Sequence, residues 1–419
     1  MKNTKIKRLI ITLSCILILG FLVLKALHYG DFKVFLEAAK LVAAGKNPYH
    51  DWIFITEGNY ALYFYSPLWA VILIPFTYLP GFIPNFIWLL ANAFFLYRIW
   101  ILLKNYVDIQ SLSKKRAYWL LVISIVLNLK FILHNFEMIQ MTIFILWGAL
   151  ESLRFFRNNN FICGGLLLAF IINIKILPIV LIPYLIYRKE FKGALSTVFF
   201  SIVFLFLPCI YFGWSNNLFM LSEWWSVVNP NNAEHLLETD LGAHSLTALI
   251  PSLLTKTTGV LPYSRNLLNL DLATTTYILN GVRIGFILLT VYFLGFPPFK
   301  KAKSKLRELR ELSFIFLLIP LIFPHQQKYE FFLAAPALFY ISYFVILNYK
   351  SQMMTDNKKR FYTILTLFIL SFVLMTLLTN NLFGHAFDQI TQHYKTITYG
   401  ATVLIIILAM CSPKFVEKK

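Results

Sequence analysis

Apolar runs alternate with short basic clusters from one end of the chain to the other. The runs near 9–27, 83–103, 117–133, 138–153, 161–174, 176–187, 193–212, 276–296, 312–323, 329–348, 361–378 and 397–411 predict helices. Most approach the roughly 20 residues that cross a bilayer. Basic clusters lie at 2–8, 104–116, 154–157, 188–192, 300–310, 350–360 and 414–419. Cytoplasmic loops of membrane proteins carry such an excess of Lys and Arg. Placing all seven clusters on that side requires an even number of crossings between neighbours. One interval resists, because three apolar stretches (9–27, 67–80 and 83–103) lie between its clusters. The middle stretch is short, is bounded by Pro67 and Pro80 and contains Pro75. That length suits an interfacial or re-entrant segment. Setting it aside predicts an all-α polytopic membrane protein, one integral domain over 1–419, with about 12 spans and both termini inside.

The loops then sort by side. The segment 28–82 becomes a first external loop holding the re-entrant stretch, and 213–275 a large external loop. In the first, Phe32, Phe35, Ala39 and Val42 recur at helical spacing, Gly45 marks a stop and Pro48 follows. This predicts an amphipathic helix on the outer surface with Asp31 at or near its N-cap. The large loop carries Trp214, Trp224 and Trp225, suited to an interfacial helix, and the acids Glu223, Glu234, Glu238 and Asp240. Asp31, His134, Glu137, Lys175, His244, His325, Gln326 and Lys328 all fall in external segments. The basic loops alone set that topology, so the gathering of polar residues on one face points to a function on the non-cytoplasmic side.

Composition narrows the class. Of 419 residues 58% are hydrophobic and 14% charged, and the mean hydropathy is +0.68. That is too little charge to cover a soluble domain. The net charge of +19 sits in the short loops between apolar runs, which argues for membrane orientation and against nucleic acid as a partner. Cys15, Cys163, Cys209 and Cys411 show no CxxC or His-rich spacing, so neither a disulfide framework nor a zinc site is expected. The basic start and the run after it lack a small-residue cleavage site, and Thr12-Leu13-Ser14 before Cys15 is a poor lipoprotein signal. An uncleaved first helix is expected.

Several short motifs follow one another in order: Asp31-Phe32, Gly45-x-x-Pro48-Tyr49, Tyr65-Ser66-Pro67-Leu68, Ile139-Gln140-Met141-Thr142, Asn173-Ile174-Lys175-Ile176-Leu177-Pro178, Ala243-His244-Ser245-Leu246 and Pro324-His325-Gln326-Gln327-Lys328-Tyr329. From about residue 30 to 340 the chain resembles glycosyltransferase family 87, membrane enzymes of the GT-C superfamily related to bacterial mannosyltransferases. It departs from the family pattern in three places. Ile139 stands where Gly is usual, Thr142 where Asn is usual, and Ala243-His244 where Asn-Gln is usual. The resemblance implies a GT-C-like bundle and transfer of a hexose, such as mannose, from a polyprenyl-phosphate-sugar to a lipid-linked or surface glycan, with inversion. It implies Asp31 as general base, with Lys175, His325, Lys328 and His244 toward the donor phosphate. Gln140, Ser245, Gln326 and Tyr65 would contact substrate. The expected partners are membrane lipid, the lipid-linked donor and a glycan or glycolipid acceptor. No metal or cofactor beyond the donor is expected. The implied location is the inner (plasma) membrane, multi-pass, with the site on the external or periplasmic face.

The residue types suit that chemistry. An attacking hydroxyl must lose a proton, which one carboxylate can accept, worth on the order of 10²–10⁴ in rate. A phosphate leaving group gains negative charge, which Lys and His can stabilise. Blander roles compete. Asp31 also suits a helix N-cap; Lys175, Arg98 and Lys130 could snorkel; Tyr63 and Tyr65 could belong to an aromatic belt; His134 and Glu137 read as a connecting turn. A transporter or flippase of lipid-linked sugars is the alternative function. It would place polar groups at mid-membrane and show internal repeats, and neither pattern is visible.

Overall fold

The structure is a computed structural model describing residues 2–28, 30–56, 59–229, 232, 235, 237, 241–352 and 358–413. The acids Glu234, Glu238 and Asp240 and the basic cluster at 414–419 lie outside the described residues. Nearly everything described is helical. The first half runs α1 (Lys2–Ala26), α2 (Phe32–Ala43), a hairpin of β1 (Ile53–Thr56) and β2 (Asn59–Ala61), then α3 (Pro67–Leu73), α4 (Ile83–Lys104), α5 (Lys114–Glu137), α6 (Thr142–Arg157), α7 (Phe161–Ile174), α8 (Leu181–Tyr187) and α9 (Phe191–Phe206). Each of the twelve apolar runs falls on a helix. Among the described residues six helices are long and apolar enough to cross a membrane, or seven if the pair His385–His393 and Thr396–Met410, bent by 61°, is one span. The remaining runs form shorter helices, such as Phe161–Ile174 and Leu177–Tyr187, or carry charge within the helix, as in Lys305–Ile322.

The stretch after Tyr65 behaves as its prolines suggest. Pro67 opens α3 at its first turn, where a missing N–H costs nothing. The chain then tightens into a 3₁₀ helix, Ile74–Tyr78. Twelve residues at these rises reach roughly 20 Å, short of the ~30 Å hydrocarbon core.

Helix α2 forms where expected. Phe32, Phe35, Ala39 and Val42 are buried, and Gly45 ends the turn with φ +72°. Its apolar face packs on protein: Phe32 stacks on Trp88 of α4 at 5.5 Å, and Phe35 meets Tyr65 edge-on at 4.5 Å. Lys33 Nζ donates to the Ile55 carbonyl at 2.8 Å, tying α2 to the hairpin. Segment Lys328–Tyr349 is buried over most of its length and forms the middle of the bundle, whereas Phe191–Phe212 is largely outward-facing.

Three arginines and a lysine find partners inside the protein. Arg98 pairs with Glu151 at 3.0 Å, which also takes Arg154 at 2.6 Å. Lys130 donates to the Leu378 carbonyl at 2.7 Å. Each head group is thus satisfied by protein. Arg188 joins the fully buried Glu311 at 2.5 Å.

Candidate active site

Asp31 sits in the N-cap position of α2, yet its backbone is helical and its side chain makes no capping bond. The carboxylate points elsewhere. Its Oδ2 accepts a hydrogen bond from Gln140 Nε2. Gln140 is held for this task. Its Oε1 faces the Met141 N–H at 3.3 Å, and its backbone carbonyl accepts from Trp88 Nε1 and Asn92 Nδ2, both at 3.2 Å. The backbones dock as well: the Asp31 N–H donates to the Met138 carbonyl at 2.8 Å. Gly30 makes this approach possible, since a Cβ there would lie 2.6 Å from that same carbonyl oxygen. Ile139 has φ +51°, a conformation that favours Gly. Strain of about 1–3 kcal/mol at such a residue is offset here by the complete burial of the Ile139 side chain.

Lys175 caps the end of α7 in extended conformation. Its ammonium forms an ion pair with Glu330 and lies 5.8 Å from the Tyr65 ring and 5.9 Å from the Tyr329 ring. Glu330 is fully buried and also accepts from Thr142 Oγ1 at 3.1 Å. Burial raises the Asp31 carboxyl above its usual range; Gln140, His134 and Lys175 oppose that rise, and Glu330 adds to it. Asp31, Gln140, Thr142, Lys175, Glu330 and Tyr65 therefore share one neighbourhood. Tyr65 is buried, and the Tyr49 hydroxyl donates to its carbonyl at 3.0 Å. Tyr63 is buried too and donates to the Ser66 carbonyl at 3.0 Å, so neither tyrosine is a membrane-belt residue.

The other expected site residues have partners of their own. Lys328 binds both oxygens of Asp388, at 2.9 and 2.7 Å. The His244 N–H donates to the Gln326 carbonyl at 2.8 Å, and the His244 carbonyl accepts from Thr398 Oγ1. The His244 ring is fully buried with neither nitrogen hydrogen-bonded, and burial holds it well below the usual imidazole range. Gln326 Nε2 donates to the Pro324 carbonyl at 2.7 Å. Ser245 caps helix Leu246–Leu254 by accepting from the Ala248 N–H at 3.2 Å. His325 stacks on Phe64 at 5.6 Å and meets His235 edge-on at 4.9 Å. His134 and Glu137 occupy the last turn of α5, where Glu137 also meets Lys25 at 3.2 Å.

Two carboxylates escaped the reading of the sequence, Glu330 and Asp388. Glu330 carried a usable signal, an ionisable side chain inside an apolar run. Asp388 carried none, because its partner lies 60 residues away. Among the described residues no three His, Cys, Asp or Glu side chains gather to hold a metal.

The family model of glycosyltransferase family 87 matches residues 63–324. Tyr65, Gln140, Lys175, His244 and Ser245 lie inside that range; Asp31, His325, Gln326, Lys328 and Glu330 lie outside it. No curated protein and no solved structure matches the chain.

Proposed function

The chain belongs to glycosyltransferase family 87, and on that premise we propose that it moves a hexose such as mannose from a polyprenyl-phosphate-sugar to a glycan or glycolipid acceptor, with inversion. The observation that carries this reading is the Asp31 carboxylate, held by Gln140 on one side with the Lys175 ammonium nearby. Asp31 takes the proton of the acceptor hydroxyl. The acceptor oxygen attacks the anomeric carbon from the face opposite the phosphate. The bond from that carbon to the phosphate oxygen breaks, and polyprenyl phosphate leaves with the electron pair. Lys175 has three N–H donors and spends one on Glu330, so it retains donors for the charge that develops on the phosphate.

The carrier chain has a fitting place. An apolar groove of about 440 Å³ runs between α1, α4 and α5. Phe136 and Phe332, the latter two residues past Glu330, line it together with Leu22 and Trp100. The topology read from the basic loops, with about 12 crossings, puts the site on the external face of the plasma membrane. His325, stacked on Phe64, would face the rest of the donor or the acceptor. Family membership disfavours the transporter reading.

Purified protein in lipid nanodiscs, given polyprenyl-phosphate-mannose and a membrane-glycolipid extract, is expected to yield a glycosylated lipid whose new linkage has the opposite anomeric configuration to the donor, read by NMR. A product of retained configuration would contradict a single-base displacement.

A further inference from the structure

Glu330 asks for an explanation that sugar transfer alone does not give. It stands at the head of the most buried segment of the bundle, fully out of water. Removing a carboxylate from water is costly unless it is paired and hydrogen-bonded. Here both needs are met, by the Lys175 ammonium on Oε1 and the Thr142 hydroxyl on Oε2. The two partners come from different elements: Thr142 opens α6, and Lys175 ends α7. The Lys175 side chain is 19% exposed and its ammonium is paired with Glu330.

We propose that Glu330 is a positioning residue of the transfer site, whose carboxylate, oriented by Thr142, holds the Lys175 ammonium between Tyr65 and Tyr329 and beside Asp31. The inference rests on the reading of Asp31 as the base. A flexible lysine loses several rotatable bonds of freedom when it engages a phosphate. Anchoring it in advance removes that cost at the moment of reaction, the general advantage of a preorganised charge. The arrangement also sets the base. The charged and titratable groups facing Asp31 are His134 from α5, Lys175 from the end of α7, Glu330 from the central segment and Tyr65 from the loop before α3. Glu330 opposes ionisation of Asp31 and Lys175 favours it. Removing each should therefore move Asp31 in opposite directions, a result that a general loss of packing would not produce.

The test uses full-length protein in nanodiscs with isotopically labelled aspartate. Infrared titration follows the protonated-carboxyl band that disappears in Asp31→Asn. In Glu330→Gln the ionisation of Asp31 is expected at lower pH than in wild type, because a negative neighbour is gone. In Lys175→Met it is expected at higher pH. An unmoved or upward-shifted Asp31 band in Glu330→Gln would overturn the proposal. Transfer adds an independent readout: Glu330→Gln is expected to lose on the order of 10²-fold, the scale of a misplaced catalytic group, and Glu330→Asp to recover part of it. Equal activity in Glu330→Gln and wild type would also overturn it. Transfer that persists in Asp31→Asn would instead remove the base while leaving the infrared result on Glu330 intact.

Discussion

Asp31 keeps its carboxylate largely out of water, and that fixes the sign of the pH response. Burial favours the neutral acid, so its ionisation is raised from the ordinary aspartate value. The base is present above that raised value and is lost as pH falls through it. The acid limb of kcat/KM is expected to lie above the ordinary aspartate value; a limb at or below that value would argue against Asp31 as the group that titrates. The two lysines take different acids as partners. Lys175 faces Glu330 beside Asp31, and Lys328 faces Asp388. Lys175→Ala is expected to lower transfer by about 10²–10³-fold, the loss found when one charge-stabilising donor is removed. Lys328→Ala is expected to cost about 2 kcal/mol of stability with a smaller effect on transfer. Thermal unfolding and steady-state kinetics on both variants check the contrast. Of the residues singled out in the sequence, Gln140 bonds to Asp31, and the charge of Lys175 acts on that carboxylate. The sequence could not separate Lys175 from Lys328, because the separating contacts are tertiary pairings with acids distant in the chain.

The device that aims Asp31 is the joint between α2 and the turn after α5. Gly30 lies against the Met138 carbonyl, Asp31 bonds to it, and Gln140 follows two residues on. Gly30→Ala has no room, and overpacking of this kind costs about 1–3 kcal/mol. It should also shift Asp31 from Gln140 and lower transfer on the order of 10²-fold, measurable as lost turnover in protein that still elutes as a folded species. Transfer at the wild-type level would show that the joint does not aim the base. The amphipathic pattern of α2 was plain in the sequence, down to Gly45 at its end. Which surface its apolar face would meet was not, because Phe32 and Phe35 suit lipid as well as Trp88 and Tyr65. The Asp31 cap was equally reasonable and is corrected: a residue with helical backbone that bonds to Gln140 has its side chain turned away from the first N–H groups of α2.

Across the whole molecule, each of the twelve apolar runs became helix, because apolar runs of this length have few other ways to satisfy their backbone groups, whereas short helices such as Leu246–Leu254 and His385–His393 left no such mark. Counting crossings is harder, since several helices fall short of a bilayer and are buried by neighbours instead of lipid. The external placement of the site is open to labelling. In a cysteine-free background, cysteines at Tyr60, Gly81 and Ser264 are expected to react with an impermeant reagent from outside, and one at Ser113 only from inside. Reaction of Tyr60 and Gly81 from opposite sides would make 67–80 a true span. Above the topology stands the claim that one carboxylate starts the transfer. The direct measurement is transfer of radiolabelled mannose from polyprenyl-phosphate-mannose by wild type and by Asp31→Asn, with folding of both verified by thermal unfolding. Loss of about 10²–10⁴-fold in a folded Asp31→Asn is the expected result. Undiminished transfer by that variant would contradict the account and move the search for the base to another carboxylate.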